Sequence, residues 1–191
     1  PHLMEVIREH KIHVQAYNVM HGVFSRVHQT PRAHSSLLSV AKSLKKDTEY
    51  SPAQVVLKWL SQHDLSSIPR MGSEHHLLEN AAVTIAAMPP LSNRQDERVH
   101  HAIASMMRGE DLEPPRAEFV NNHSDRTIHL FWSSEDGKEL PVHEDLGPGE
   151  NFNTLTYPGH VFVAYDHDKS SRKEFKVQAD YGEHQQFHVE L

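Results

Sequence analysis

Histidine is the residue type in this chain that most invites a chemical reading. There are 18 among 191 residues. Imidazole is the commonest metal ligand and the side chain that titrates near neutral pH. The clusters are His75-His76, His100-His101, His167 flanked by Asp166 and Asp168, and His184 with His188. Adjacent histidines on a helix point about 100° apart and chelate poorly together. His184 and His188 fall in a strand pattern, where residues i and i+4 share a face but lie about 13 Å apart. The H-E-x-x-H spacing is absent, and no Cys supplies a thiolate ligand. The sequence therefore predicts no metal site, and Asp166, Asp168 and Lys169 read as a solvated turn. No Gly-rich phosphate loop, G-x-S-x-G elbow or coherent Ser-His-Asp set is visible. No catalytic residue is assigned.

Composition narrows the classes of function. Lys and Arg number 19 against 26 Asp and Glu, for a net charge of −7. A nucleic-acid binder usually carries a basic excess, so nucleic acid is not expected as a partner. Protonating every His would carry the charge to +11, which predicts a pH-sensitive solubility. No run approaches the roughly 20 apolar residues of a membrane helix, and no signal peptide opens the sequence. Membrane insertion and secretion are not expected. The absence of Cys suits a reducing compartment, and the cytoplasm is the expected location. The chain opens on Pro1, and a helix-like run begins at once with Leu3, Met4, Val6 and Ile7. The expectation is a fragment or a partial gene model.

The elements that must position any chemistry fall into two halves. Residues 1–110 alternate short apolar runs with helical patterns, the signature of α/β architecture. Ile12–Tyr17 reads as a strand and 25–36 as a loop. Leu37, Leu38, Ala41 and Leu44 predict a helix over Ser36–Lys46. Ser51-Pro52 starts a helix carrying Val55, Val56, Trp59 and Leu60 on one face. Leu65–Pro69 reads as a second strand and Val83–Ala87 as a third. Ser73 caps a helix through Leu77, Leu78 and Ala81. Ser92 with Gln95 forms a capping box for a helix through Val99 and Ile103. Residues 111–116 read as a linker, because the Arg108–Arg116 stretch holds a Gly stop, acidic residues and a Pro pair. Residues 117–191 alternate with period two, with turns at Asp136-Gly137, Gly147-Pro148-Gly149, Pro158-Gly159 and Tyr181-Gly182. Seven or so short strands at that spacing predict an all-β sandwich.

The first half carries A-Y-N-V-M-H-G at Ala16–Gly22, T-E-Y-S-P-A-Q-V-V-L-K-W-L at Thr48–Leu60 and S-I-P-R at Ser67–Arg70. H-L-L-E-N follows at His76–Asn80 and P-L-S at Pro90–Ser92. Over residues 3–107 this series resembles the last three strand–helix units of an aldo-keto reductase, a TIM-barrel family that uses NADP(H). The resemblance implies that Tyr17, Asn18 and Met20 line the pyrophosphate path and that Arg70 and Asn80 lie near the adenosine end. The family's usual Lys-Ser pair is Arg70-Met71 here, and its Arg before the Glu-Asn pair is His76. Two phosphate-binding groups are thereby weakened. The alternative for Arg70 is a cationic surface loop. The family's catalytic Asp, Tyr, Lys and His have no counterpart in this chain. Three strands cannot close an eight-stranded barrel. Truncation of a larger enzyme, a decayed segment kept as scaffold, and assembly with a missing barrel half all remain open.

The second half carries Phe119-Val-Asn-Asn122, Ile128-His-Leu-Phe-Trp132, Asp136-Gly137, Leu146-Gly-Pro-Gly149 and Thr156-Tyr-Pro-Gly-His160-Val-Phe162. Their order and spacing resemble the von Hippel–Lindau β-domain, a family that binds a hydroxyproline-containing peptide in an aromatic-walled slot. The resemblance implies a peptide site built from Trp132, His143, Thr156, Tyr157, His160 and Phe162. Phe162 replaces a second Trp, and His143 stands where the family has a Tyr. Strand alternation allows another outcome, with Trp132 and Phe162 in the core and His160 capping a turn. No helical box for a ubiquitin-ligase scaffold is present. Two functional readings result. One is a protein- or peptide-recognition module joined to a catalytically incomplete reductase segment. The other is the C-terminal part of an NADP(H)-dependent reductase acting on carbonyl substrates.

Overall fold

A computed structural model describes residues 2–44, 49–70, 72–134 and 136–191. The end of the helix expected over Ser36–Lys46, Thr48 and Met71 lie outside the described residues. The chain divides between Leu112 and Glu113 into two units. Among the described residues, no helix is long and apolar enough to cross a membrane.

The first unit runs α1 (His2–Glu9), β1 (Val14–Tyr17), α2 (Val19–Phe24), α3 (Pro31–Ser43), α4 (Pro52–Gln62), β2 (Leu65–Ile68), α5 (Glu74–Glu79), α6 (Ala82–Ala87) and α7 (Asn93–Arg108). Strands β1 and β2 pair in parallel, from Val14 opposite Leu65 to Tyr17 opposite Ile68. Local chemistry explains most boundaries. Ser51 Oγ accepts from the Gln54 N–H at 3.3 Å, and Gln54 Oε1 accepts from the Ser51 N–H at 2.9 Å. Ser92 and Gln95 repeat this reciprocal cap at 3.4 and 2.8 Å. Each exchange satisfies amides that the first helical turn cannot. Leu37, Val40 and Ala41 of α3, Val55, Val56 and Leu60 of α4, and Val99, Ala102 and Met106 of α7 form the core. Full burial of a Leu or Val side chain contributes about 1.5–3 kcal/mol, so these three helices hold the unit together.

Three expectations for this unit are corrected. Residues 31–36, read as loop, form the first turns of α3. Pro31 supplies the fixed φ of a first helical residue. The Arg32 and Ala33 amides donate to the Asp111 carboxylate at 3.0–3.2 Å. Asp111, read as linker, is thus part of this unit, and Arg116 at the far end of the expected linker is the first residue of a strand. Val83–Ala87 is helical, so the parallel sheet has two strands and not three among the described residues. Ile85 is buried while Val83 is 76% exposed, which breaks the period-two pattern a strand would need. The Ile85 N–H closes back on Ala81 O at 3.0 Å.

The second unit contains β3 (Arg116–Asn121), β4 (Ile128–Ser133), β5 (Glu139–Leu146), β6 (Asn151–Leu155), β7 (Val161–Asp166), β8 (Arg172–Lys176) and β9 (His184–Val189). One sheet has the order β6-β3-β9, with β9 parallel to β3. The other is antiparallel, in the order β5-β4-β7-β8. Both sheets feed one core. Ala117, Phe119 and Val189 come from the first, and Ile128, Leu130, Phe162 and Phe175 from the second. Phe119 is its centre, with ring centroids 4.9 Å from Phe162 and 5.1 Å from Phe187. Asn121 is buried yet satisfied, donating from Nδ2 to Arg126 O at 2.7 Å and Leu146 O at 2.9 Å. Glycines with positive φ stand at every expected turn, including Gly137 and Gly159.

Candidate functional site

Trp132 continues the buried face of β4 after Ile128 and Leu130, since i, i+2 and i+4 share one side of a strand. It falls at the end of the core and is only partly buried. In register it stands opposite Phe162 of β7 and the half-exposed Leu140 of β5. Beside it comes the Thr156–His160 turn, which is pinned at both ends. The Thr156 N–H donates to Pro115 O at 3.0 Å, the Gly159 N–H to Val177 O at 2.9 Å, and the Val177 N–H to His160 O at 2.8 Å. Gly159 adopts φ +88°, a conformation that favours glycine and lets the chain reverse there.

That turn brings His160 against two rings. Its centroid lies 5.3 Å from Trp132 at 48° and 5.2 Å from Tyr157 at 58°. Thr156, buried beneath, holds its Oγ1 3.2 Å from His160 Nδ1. If Nδ1 accepts, the imidazole proton sits on Nε2. Tyr157 is exposed and carries a phenol beside this imidazole. The arrangement can stack a non-polar ring and hydrogen-bond a hydroxyl next to it. Trp132 Nε1 is buried with no acceptor among the described residues, so this tryptophan offers its ring and not its N–H.

Of the six residues expected to form a peptide site, four therefore converge: Trp132, Thr156, Tyr157 and His160. The other two do not share their role. Phe162 is 3% exposed and packs on Phe119 in the core, so it backs the site and cannot wall it. His143 stacks on Phe152 of β6, with centroids 4.6 Å apart at 16°. Sequence reading did not single out Phe152, because a contact between sheets leaves no trace in spacing along one strand. Leu140 was missed as well.

In the first unit, parallel pairing brings the C-terminal ends of β1 and β2 side by side, and the following loops deliver side chains to one place. Tyr17, Asn18, Met20, His21 and Arg70 line a cleft of about 470 Å³. Met20 and Arg70 also line a neighbouring cleft of about 330 Å³ with Phe24, His34, His76 and Asn80. All five residues expected at a nucleotide are thus on these two walls. Among the described residues, Glu79 is the one carboxylate lining either cleft, against Arg70 and three imidazoles, so the lining suits an anion. Asn80 Oδ1 is buried with no partner among the described residues. His21 and His34 were not anticipated.

No protein-family model matches the chain, and no curated protein matches it.

Proposed function

We propose that residues 113–191 are a peptide-recognition module of the von Hippel–Lindau β-domain type, a β-sandwich that takes an extended segment carrying proline or hydroxyproline. The observation that carries this reading is the convergence of Trp132, Tyr157 and His160 rings on buried Thr156. Aromatic faces pack well against a pyrrolidine ring. An imidazole and a phenol can each partner a ring hydroxyl, which would otherwise cost about 1–3 kcal/mol to desolvate. With His143 turned to Phe152 and Phe162 in the core, fewer polar groups read the hydroxyl. Proline and hydroxyproline should therefore be separated only modestly. The test is a titration with paired proline and hydroxyproline peptides. Trp132→Ala and His160→Ala should each weaken binding, while His184→Ala should not. Silence of both substitutions in folded protein, or no binding at millimolar peptide, would overturn the assignment.

A second reading rests on a separate observation, the lining of the two clefts by Tyr17, Asn18, Met20, Arg70 and Asn80. We propose that the first unit is an aldo-keto-reductase-like partial barrel that binds the phosphate-bearing end of NADP(H). Arg70 fits that end by offering a fork for phosphate, and Asn80 lines the same cleft. When bound, the dinucleotide would supply hydride chemistry, but no residue of this chain corresponds to the family's proton-donating tetrad. The reading is thus of a catalytically incomplete segment. Among the described residues each of β1 and β2 pairs with one strand, the other, and Tyr17, Ile68, Leu77, Leu78 and Val83 are exposed. A complementary barrel half is the partner that would cover them. A chain without Cys suits the cytoplasm as the place of work. NADPH fluorescence should report binding that Arg70→Met weakens. Equal binding by both proteins would refute the role of Arg70.

A further inference from the structure

We infer that His129, Asp145 and His167 form a zinc-class divalent-cation site at one end of the four-stranded sheet. One ligand atom from each lies within 4.8 Å of the other two. The residues come from three places in the sequence and three neighbouring chain segments, namely β4, β5 and the turn after β7. The His129 and His167 rings have centroids 5.7 Å apart at 35°. Asp145 Oδ1 lies 3.9 Å from His129 Nδ1. Zinc–nitrogen and zinc–oxygen bonds of about 2.0–2.2 Å place neighbouring ligand atoms roughly 3.3 Å apart, so small side-chain rotations close the set.

The backbone explains how these groups meet. Between Ile128 opposite Leu146 and Leu130 opposite His143, β5 holds one more residue than β4. That bulge contains Asp145, at φ +59°. Bulges re-aim side chains, and this one sets Asp145 beside His129, with its N–H donating to His129 Nδ1 at 3.3 Å. The bond is long and would yield to a metal–nitrogen bond, leaving an exposed amide that water can satisfy. His129 is the anchored member, its side chain 15% exposed, while Asp145 and His167 are exposed. The cation Lys169 is engaged with two rings, its Nζ 5.3 Å from the Phe131 ring centroid and 5.9 Å from that of Tyr165. Asp125, Asp166 and Asp168 line an adjoining cleft with His167, and Arg126 is the one Lys or Arg among its described lining residues. The field at the entrance favours a cation.

The donor set selects the ion class. Two imidazoles and one carboxylate suit zinc and its borderline neighbours better than calcium or magnesium, which prefer all-oxygen sites. Three protein ligands leave a position for water. Binding would tie β4 and β5 to the turn after β7, and so clamp the strands that carry Trp132 and His143.

The test is isothermal titration of the full chain with zinc ion in chelator-free buffer, alongside a thermal scan. One equivalent should bind and raise the melting temperature of the β unit. His129→Ala, His167→Ala and Asp145→Gly should each weaken that equivalent at least about tenfold, whereas the double variant His184→Ala/His188→Ala should keep it. Asp145→Gly separates this role from a structural one. Glycine suits φ +59°, so the metal-free variant should melt no lower than wild type while losing zinc. No stoichiometric zinc binding by wild type would overturn the site. So would full binding retained in His167→Ala and Asp145→Gly.

Discussion

Replacing Asp111 by Ala should unfold the helical unit more easily, although Asp111 lies well beyond the end of the core helix it caps. Its Oδ1 accepts from the Arg32 N–H at 3.1 Å and the Ala33 N–H at 3.0 Å, and Oδ2 lies 3.3 Å from Arg32 Nε. The substitution leaves two first-turn amides of α3 without an acceptor. Loss of a helix cap costs about 0.5–2 kcal/mol, and a hydrogen bond to a charged group about 1.5–3 kcal/mol. The Arg32 side chain is 37% exposed, so its ion pair adds only about 0–1 kcal/mol. The sum is not additive, and about 2–3 kcal/mol is expected. With an m value of about 1–3 kcal/mol per molar urea, the midpoint should fall by about 0.7–3 M. The two tryptophans, Trp59 and Trp132, lie one in each unit. In a Trp132→Phe background, fluorescence therefore follows the helical unit alone. Asp111→Asn keeps a neutral acceptor and should lose about half as much. A midpoint for Asp111→Ala equal to that of Glu97→Ala, an exposed control on α7, would refute the cap.

Two further outcomes are expected. The full chain, supplied with NADPH and a broad aldehyde panel, should show no turnover above the buffer rate. A positioned acid is worth about 10²–10⁴-fold and none is matched here; measurable turnover would refute the incomplete-segment reading. The Asp166 carboxyl is held below the usual range, first by the Ser170 hydroxyl and then by the Ser171 amide. A depressed folded-state pKa gives stability that is present above the unfolded value of about 3.9 and is lost as pH falls through the folded one. Asp166→Asn should therefore flatten the loss of β-unit stability as pH falls below about 4, and an unchanged acid limb would count against it.

Features written in adjacent residues were legible, and those written in distant ones were not. The Ser51–Gln54 and Ser92–Gln95 caps span three residues and could be read directly. The start of α3 could not, because its acceptor comes from Asp111. Val83–Ala87 is a five-residue segment with four apolar residues, too short for periodicity to separate strand from helix. The turns of the β unit were signalled by glycines that the backbone does place at positive φ. Trp132, Thr156, Tyr157 and His160 could be gathered by motif, whereas the stacking of His143 on Phe152 depends on how β5 and β6 meet. His129 and Asp145 escaped notice because the bulge that joins them is an extra residue in register, invisible until the strands are paired.

The parallel pairing of β9 with β3 has a consequence for synthesis. Arg116 stands opposite His184 and Asn121 opposite Val189, so β3 leaves the ribosome roughly 70 residues before its second neighbour exists. At about 5–20 residues per second, that interval is about 3–14 seconds. During it β3 can pair only with β6, and Phe119 lacks the Phe187 ring that stacks on it. The nascent β unit thus spends seconds with one strand edge and part of its aromatic core uncovered. That is the window in which a chaperone, or an unwanted neighbour, would find it.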